Sequence, residues 1–232
     1  MFKKNVSADS NSIQFNIKER FRQLRTNIEY SSFNNDIQVV SVTSSNPKEG
    51  KSTVSSNLAK VSAAKYDKVL LMDCDLRKPV QHTLFHASNK KGLSNLMKNM
   101  KQVDIENEEY FKKFKNEDCG TVYLLTSGQS VPNPQELLSS SRFKELLESL
   151  RKQFDFIIID CPPLNAVADA IPIASVVDGT VFVVSAKDTD KREAKQALTM
   201  LQRGGAKVLG AVLTKADATV HKYYKYNYTY GE

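Results

Sequence analysis

Short, continuous apolar runs alternate with stretches of helical periodicity along most of this chain. The apolar runs are rich in β-branched residues and end in polar turns, which is typical of strands buried on both faces. Strands of this kind that alternate with helices predict a mainly parallel sheet covered on both sides. The predicted strands are 37–43, 68–73, 121–126, 154–160, 179–185 and 207–213.

Helical periodicity fills most of the intervals between these strands. Phe21, Leu24 and Ile28 form one stripe, which predicts a helix from residue 17 after a flexible arm at 1–16. Asn133-Pro134-Gln135-Glu136 predicts a helix start with Asn133 at the N-cap, and this helix continues through 142–152. Further helices are predicted at 51–64 and 191–202, and the charged stretch 81–118 is predicted to be mainly helical.

Composition places the chain among globular α/β proteins. It has 232 residues, of which 41% are hydrophobic and 25% charged, and no linker divides it. No apolar run approaches the roughly 18 residues that span a bilayer, and no secretory signal is predicted. The net charge of +7 favours acidic partners such as nucleotides or anionic lipid. No nucleic-acid motif accompanies this charge, so no nucleic-acid partner is expected.

A phosphate-binding loop follows the first predicted strand. The run Pro47-Lys48-Glu49-Gly50-Lys51-Ser52-Thr53 joins that strand to a helix, which is the context that such a loop requires. In these loops, backbone N–H groups and the helix N-terminus bind phosphate, the lysine reaches the β- and γ-phosphates, and the hydroxyl ligates Mg²⁺. The usual pattern has glycine five residues before Gly50, where this chain has Ser45. The loop therefore indicates nucleotide binding, with one departure from the pattern.

Two predicted strands end on acidic residues. Asp73 and Asp75 follow the strand at 68–73, and Asp160 ends the strand at 154–160. Open α/β folds bind ligands at the edge where parallel strands end, so these carboxylates should converge beside the loop. A single aspartate at a strand end is more often a cap or turn residue, but three of them beside Lys51-Ser52-Thr53 favour a metal–nucleotide site.

Tyrosines are concentrated at the end of the chain. A segment with many tyrosines and almost no aliphatic residues cannot form a core, so residues 219–232 are predicted to be a disordered tail. A loop that positions a γ-phosphate suggests that these phenol groups are phosphate acceptors. They are Tyr223, Tyr224, Tyr226, Tyr228 and Tyr230.

Together these motifs resemble those of bacterial tyrosine kinases, over nearly the whole chain. Thr43-Ser44-x2-Pro47-x2-Gly50-Lys51-Ser52 is similar to the Walker A motif of that family, whose version of the loop also lacks the glycine replaced by Ser45. Asp73-x-Asp75-x-Arg77 is similar to its Walker A′ motif, and Asp160-x-Pro162-Pro163 to its Walker B motif. The form that it resembles is the Gram-positive one, made as a separate cytosolic chain for capsular polysaccharide biosynthesis.

The resemblance implies a single kinase domain at 17–218, with ATP and Mg²⁺ as cofactors. Its fold would be a doubly wound, mainly parallel α/β sheet with P-loop NTPase topology of the deviant Walker, MinD/ParA-like type. Lys51, Asp73 and Asp75 would be catalytic, with Asp73 accepting or orienting the tyrosine hydroxyl proton. The metal or its waters would be held by Ser52, Asp75 and Asp160, and the nucleotide by Ser45, Pro47, Lys48, Glu49, Gly50, Lys51, Ser52 and Thr53.

The first predicted helix carries Glu19, Arg22 and Arg25 on one face. Salt bridges within the helix are one explanation. The resemblance implies a subunit contact instead, which closes a homo-oligomeric ring. It also implies a transmembrane activator of the polysaccharide co-polymerase type, a cognate tyrosine phosphatase, and protein substrates in polysaccharide synthesis. The chain would be cytoplasmic, recruited by its activator to the inner face of the membrane.

A partitioning or division-site ATPase of the MinD/ParA type is the competing class. Those proteins share the deviant fold, but they carry a signature lysine five residues before the loop lysine, where this chain has Asn46. They also lack a tyrosine-rich tail. A catalytically inactive scaffold is disfavoured because Lys51, Ser52 and the aspartates are all present.

Overall fold

A computed structural model describes residues 6–31, 37–99, 103–115 and 120–216, with side chains except at 6–16 and 99. The helices are α1 (Val6–Tyr30), α2 (Lys51–Ser62), α3 (Gln81–Leu84), α4 (Leu93–Asn99), α5 (Pro134–Ser139), α6 (Ser141–Arg151), α7 (Ala170–Ala174) and α8 (Lys191–Arg203). The strands are β1 (Val39–Ser44), β2 (Lys68–Asp73), β3 (Phe111–Lys115), β4 (Thr121–Leu125), β5 (Phe156–Asp160), β6 (Gly179–Ser185) and β7 (Val208–Thr214). The tail tyrosines lie outside the described residues.

One 7-stranded sheet forms the centre of the molecule, in the order β3-β4-β2-β5-β1-β6-β7. Every neighbouring pair is parallel except β3 and β4, which are antiparallel. The register sets Asp73 at the end of β2 directly beside Asp160 at the end of β5. The predicted doubly wound, mainly parallel α/β fold is thus confirmed.

Apolar side chains fill a layer on each face of the sheet. On β5, Ile157 and Ile159 belong to the core that includes α6, while Phe156 and Ile158 belong to the core that includes α2. Successive strand residues point to opposite faces, so a strand covered on both sides must be apolar at every position. This explains the continuous apolar runs of the central strands, and the parallel pairing brings the ends of β2, β5, β1 and β6 to one edge.

Three local predictions differ from the structure. The first helix begins at Val6 rather than at residue 17. The helix predicted to run from Pro134 to 152 is two helices, because Ser140 is extended (ψ 154°) and its hydroxyl accepts the backbone N–H of Phe143 to start α6. Asn133 precedes α5, but its side chain makes no capping hydrogen bond.

The charged stretch 81–118 is not mainly helical. It contains the short helices α3 and α4 and then β3, which pairs antiparallel with β4 at the end of the sheet. The sequence of β3 is Phe-Lys-Lys-Phe-Lys, and Phe111 is buried. The three lysines interrupt the apolar run by which the other strands were predicted. An edge strand needs fewer apolar residues than a central one, and lysine is common there.

Candidate active site

The loop between β1 and α2 has the backbone geometry of a phosphate cradle. Gly50 has a φ of 99°, in the left-handed region, and α2 starts at the next residue. A Cβ atom at position 50 would lie 3.2 Å from the side chain of Thr214 on β7. Lys48 also has a positive φ, 67°, which costs energy for a residue with a side chain. The N-terminus of α2 is thereby presented at the sheet edge, where it favours anions.

A buried carboxylate braces this loop from beneath. The Glu49 carboxylate accepts hydrogen bonds from the Ser45 hydroxyl (3.0 Å) and the Asn46 backbone N–H (3.0 Å). The Thr189 hydroxyl, from the loop before α8, donates to it as well. Ser45 therefore shapes the loop by a side-chain hydrogen bond where other phosphate loops have glycine. Ser45 and Glu49 are buried supports of the cradle, and they do not line the pocket above it.

Lys51 is the cation at the centre of the acidic strand ends. Its Nζ lies 3.1 Å from Oδ2 of Asp75 and 3.2 Å from the Ser52 hydroxyl. Burial alone would lower the pKa of Lys51, but Asp160, Asp75 and Asp73 more than offset this, so its pKa lies above the ordinary value. Lys51 therefore stays charged and can receive a phosphate oxygen.

Asp73 is fully buried and organises the loop that follows β2. Its Oδ2 accepts the backbone N–H groups of Val80 (3.1 Å) and Gln81 (3.0 Å), and its Oδ1 accepts that of Asp75 (3.2 Å). Burial, together with the charge of Asp160, raises the pKa of Asp73 to about 8. In this arrangement the carboxylate does not line the pocket, and its hydrogen bonds orient the loop that follows β2.

Asp160 is held by two side chains that sequence reasoning missed. Its Oδ1 accepts the hydroxyl of Ser55 (3.2 Å), and its Oδ2 accepts the amide of Gln81 (2.8 Å). Burial raises the pKa of Asp160 above its ordinary value, although Lys51 and the hydrogen bond from Gln81 oppose the shift. Serine and glutamine carry no distinctive chemical signal, so only the register of β2 and β5 could have pointed to them.

An open pocket of about 630 Å³ lies above these groups. Its floor contains six of the eight predicted nucleotide-binding residues, together with Asp75. Lys215, which follows β7, closes one end and donates to the Lys48 carbonyl oxygen (2.7 Å). Arg77 stands at the other end, held by a bidentate ion pair with the buried Asp169 (2.7 and 3.2 Å). The floor residues are Pro47, Lys48, Gly50, Lys51, Ser52 and Thr53.

The donor groups suit a hard divalent cation. Ser52, Asp75 and Asp160 offer only oxygen atoms, and Mg²⁺ prefers oxygen ligands while keeping several waters. Within the described residues, no three acidic, histidine or cysteine side chains form a closed metal site. Ser52 and Asp75 line the pocket and so fit an ion that is also bound by phosphate and water, whereas Asp160 is fully buried and does not line it.

The residues predicted to form subunit contacts make bonds inside this chain. Arg22 lies 3.4 Å from Glu19, one turn away on α1. Arg25 lies 3.5 Å from Glu29 and donates to the carbonyl oxygen of Val61 on α2 (2.9 Å). Arg25 thus anchors α1 to α2, whereas Arg22 and Glu19 are more exposed.

Among the described helices, none is long and apolar enough to cross a membrane.

Comparison with known proteins gives a consistent assignment. The family model described as "AAA domain" matches residues 37–202. Putative tyrosine-protein kinase CapB of Staphylococcus aureus is 40% identical over 216 residues, covering 93% of this chain and 91% of that protein. Tyrosine-protein kinase YwqD of Bacillus subtilis is 41% identical over 208 residues, covering 90% and 85%. The crystal structure of the chimerical protein CapA2B2 has a TM-score of 0.76 at 37% identity, covering 84% and 83%.

The fold and the site define a P-loop nucleotide-binding protein with a deviant Walker arrangement. Within that class, the relatives show that this chain belongs to the bacterial tyrosine kinase family and is a protein-tyrosine kinase. A ParA family ATPase from Chlorobium tepidum also matches, with a TM-score of 0.63 but only 15% identity, covering 79% and 76%. That likeness shows a shared fold alone, so the competing class is a distant structural relation.

Proposed function

We propose that this kinase transfers the γ-phosphoryl group of ATP, with Mg²⁺, to the tyrosines of its own tail in a neighbouring copy of the chain. The observation that carries the proposal is the position of Lys51. It lies buried between Asp75 of the A′ motif and Asp160 of the B motif, on the floor of an open pocket. Phosphoryl transfer depends mainly on positioning and charge stabilisation, and this site supplies both without a covalent nucleophile.

Each site residue has a role in this proposal. Lys51 would hold oxygens of the transferring group, and Ser52 and Asp75 would ligate Mg²⁺, with Asp160 bonded to its waters. When bound, the cation would neutralise charge on the phosphates. Asp73 would orient the A′ loop, and after movement of that loop it could take the phenol proton.

In this proposal, tyrosine enters the pocket from the side of β5 and β2. The β6 and β7 ends lie on one side of β1, with Lys215 closing that end of the pocket, and the β5 and β2 ends lie on the other. On the β5 and β2 side the pocket wall is largely apolar, formed by Val80, Pro162, Pro163, Ala166 and Val167. An apolar wall gives a phenol ring a surface to pack on, which supports entry from this side.

Mass spectrometry of the pure chain incubated with ATP and Mg²⁺ tests the proposal. Phosphate should appear on Tyr223, Tyr224, Tyr226, Tyr228 and Tyr230, and more of it when the cytosolic segment of the membrane activator is added. Mixing tail-tagged Lys51→Met protein with untagged wild type separates transfer between chains from transfer within one. A tail that stays unlabelled in all these mixtures would contradict the proposal.

The same proposal extends to assembly and location. A ring held through Glu19 and Arg22 would place one tail at the next active site, at the inner face of the membrane beside a co-polymerase-type activator. A cognate phosphatase would reset the tail, and the pathway served would be capsular or exopolysaccharide synthesis. Light scattering should show smaller assemblies for Arg22→Ala than for Arg20→Ala, a matched change on the same helix. Equal masses would exclude this contact.

A further inference from the structure

One buried residue joins the three nucleotide-site motifs through its backbone and its side chain, and no motif includes it. Gln81, at the start of α3, is fully buried. Its backbone N–H donates to Oδ2 of Asp73 (3.0 Å), its amide Nε2 donates to Oδ2 of Asp160 (2.8 Å), and the same nitrogen donates to the carbonyl oxygen of Ser52 (3.0 Å). Gln81 therefore connects the A′ motif, the B motif and the first turn of α2.

The orientation of the Gln81 amide follows from its neighbours. A carboxylate and a backbone carbonyl can only accept, so the NH2 end must face Asp160 and Ser52. The amide oxygen Oε1 then points away from both. It has no hydrogen-bond partner within the described part of the chain, although the atom is shielded from solvent. A buried acceptor without a partner costs about 1–3 kcal/mol and calls for an explanation.

We infer that Gln81 is a positioning residue for the divalent cation, which orients Asp160 through Nε2 and accepts a hydrogen bond from a water of the cation's hydration shell through Oε1. This inference rests on the proposed use of Mg²⁺. An amide suits both contacts, because its NH2 donates to Asp160 while its oxygen accepts from water. A cation that keeps most of its waters is held partly by such bonds.

Nucleotide binding, measured with a fluorescent ATP analogue while Mg²⁺ is titrated, tests the inference without any transfer step. For Gln81→Met, of similar length but with neither donor nor acceptor, the Mg²⁺ concentration at half-saturation should rise roughly tenfold. The affinity measured in EDTA should stay within about twofold, because Lys51 and the phosphate loop are untouched. Gln135→Met, on an exposed position of α5, is the matched control and should behave as wild type.

Gln81→Asn is a second variant for the case that the Met variant does not fold. It keeps the amide but is too short to reach both partners, so the Mg²⁺ concentration at half-saturation should rise by the same factor. Two results would overturn the inference: an unchanged Mg²⁺ requirement in a folded variant, or an equal loss of affinity with Mg²⁺ and in EDTA. If wild type itself shows no Mg²⁺-dependent nucleotide binding, the proposed cofactor fails instead, which separates the two ideas.

Discussion

The two edges of the sheet handle buried charge in opposite ways. At the edge where strands begin, Asp178 accepts both guanidinium arms of Arg151 (2.8 and 2.9 Å) and the backbone N–H groups of Gln38 and Val39. Burial would raise the pKa of Asp178, but Arg151 and the two N–H groups outweigh it, and the pKa falls below the ordinary value. Asp178 thus accepts four hydrogen bonds at that edge.

At the edge where strands end, one lysine faces three aspartates. The pKa values of Asp73 and Asp160 are raised, mainly by burial, which means that the protein holds these carboxylates against their preference. Backbone strain collects at the same edge, with positive φ angles at Lys48 and Lys215. A carboxylate whose pKa is lowered by its partners thus marks a structural element, whereas carboxylates whose pKa is raised by burial, together with backbone strain, mark a candidate ligand site.

Replacing the basic residue at each edge should have the largest effects, on activity at one edge and on stability at the other. Lys51→Met should lower tail phosphorylation at least a hundredfold, about 3 kcal/mol of transition-state stabilisation, because the transferring group loses its cation. Its free energy of unfolding should change by less than about 1 kcal/mol, since the aspartates can take up protons. Quantitative phosphotyrosine blots and urea unfolding measure the two effects.

Arg151→Met is the matched change at the opposite edge. It should cost about 2–3 kcal/mol of stability, because Asp178 keeps its charge without its partner, while the activity per folded molecule stays unchanged. If Arg151→Met lost activity in the folded state, or Lys51→Met unfolded the protein, the division of labour between the edges would be wrong.

The same Asp→Asn change should have opposite signs at the two edges. Asp178→Asn should destabilise by about 2 kcal/mol, because an amide NH2 would face the guanidinium donors. Asp160→Asn should stabilise the ligand-free protein by about 1 kcal/mol, since it removes a charge disfavoured by burial. Its NH2 can donate to Ser55, whose hydroxyl then donates to the Lys51 carbonyl oxygen (3.0 Å). Thermal unfolding without nucleotide gives both signs, and equal signs would refute the contrast.

The stability of the ligand-free protein should fall as pH rises from about 4 to about 8. Asp73 has its pKa raised from 3.8 to about 8, so between these values the folded state binds a proton that the unfolded state has lost. The free energy of unfolding then declines by up to about 1.4 kcal/mol per pH unit for that proton. Asp178 contributes no slope in this pH range. A carboxylate with a lowered pKa loses its stabilising effect only as the pH falls through that lowered pKa. Asp73→Asn should make the urea midpoint depend less steeply on pH between pH 5 and 8, with the remaining slope due to the raised pKa of Asp160. An unchanged slope would contradict the assignment.

The smallest expected effect concerns strain in the phosphate loop. Lys48→Gly should stabilise the protein by about 0.5–1 kcal/mol, because glycine adopts a φ of 67° without strain. The greater conformational entropy of glycine in the unfolded chain offsets part of the relieved strain energy. The Lys48 side chain is exposed, and the bond from Lys215 goes to its backbone carbonyl, which glycine retains. A change of Lys48 to Ala, which keeps the strain, should give no gain in thermal unfolding.

The sequence predicted what depends on local pattern. The six predicted strands follow from apolar runs, and the convergence of Asp73, Asp75 and Asp160 follows from parallel topology. The β3 strand was not predicted, because a strand at the edge of the sheet tolerates three lysines. The break between α5 and α6 was not predicted, because it depends on the conformation of the single residue Ser140. Gln81 and Asp169 could not be predicted, because each gains its role only from partners distant in the chain.

The ion pair between Lys51 and Asp75 has a consequence for how ligands arrive. Phosphate would bind Lys51, and the cation would bind Asp75. If phosphate bound alone, Asp75 would lose its ion-pair partner, and if the cation bound alone, Lys51 would lose its partner. The second ligand relieves that cost, so each should strengthen the other's binding by the same factor. Filling the site becomes close to all-or-none, and a free nucleotide without its cation is a poor competitor.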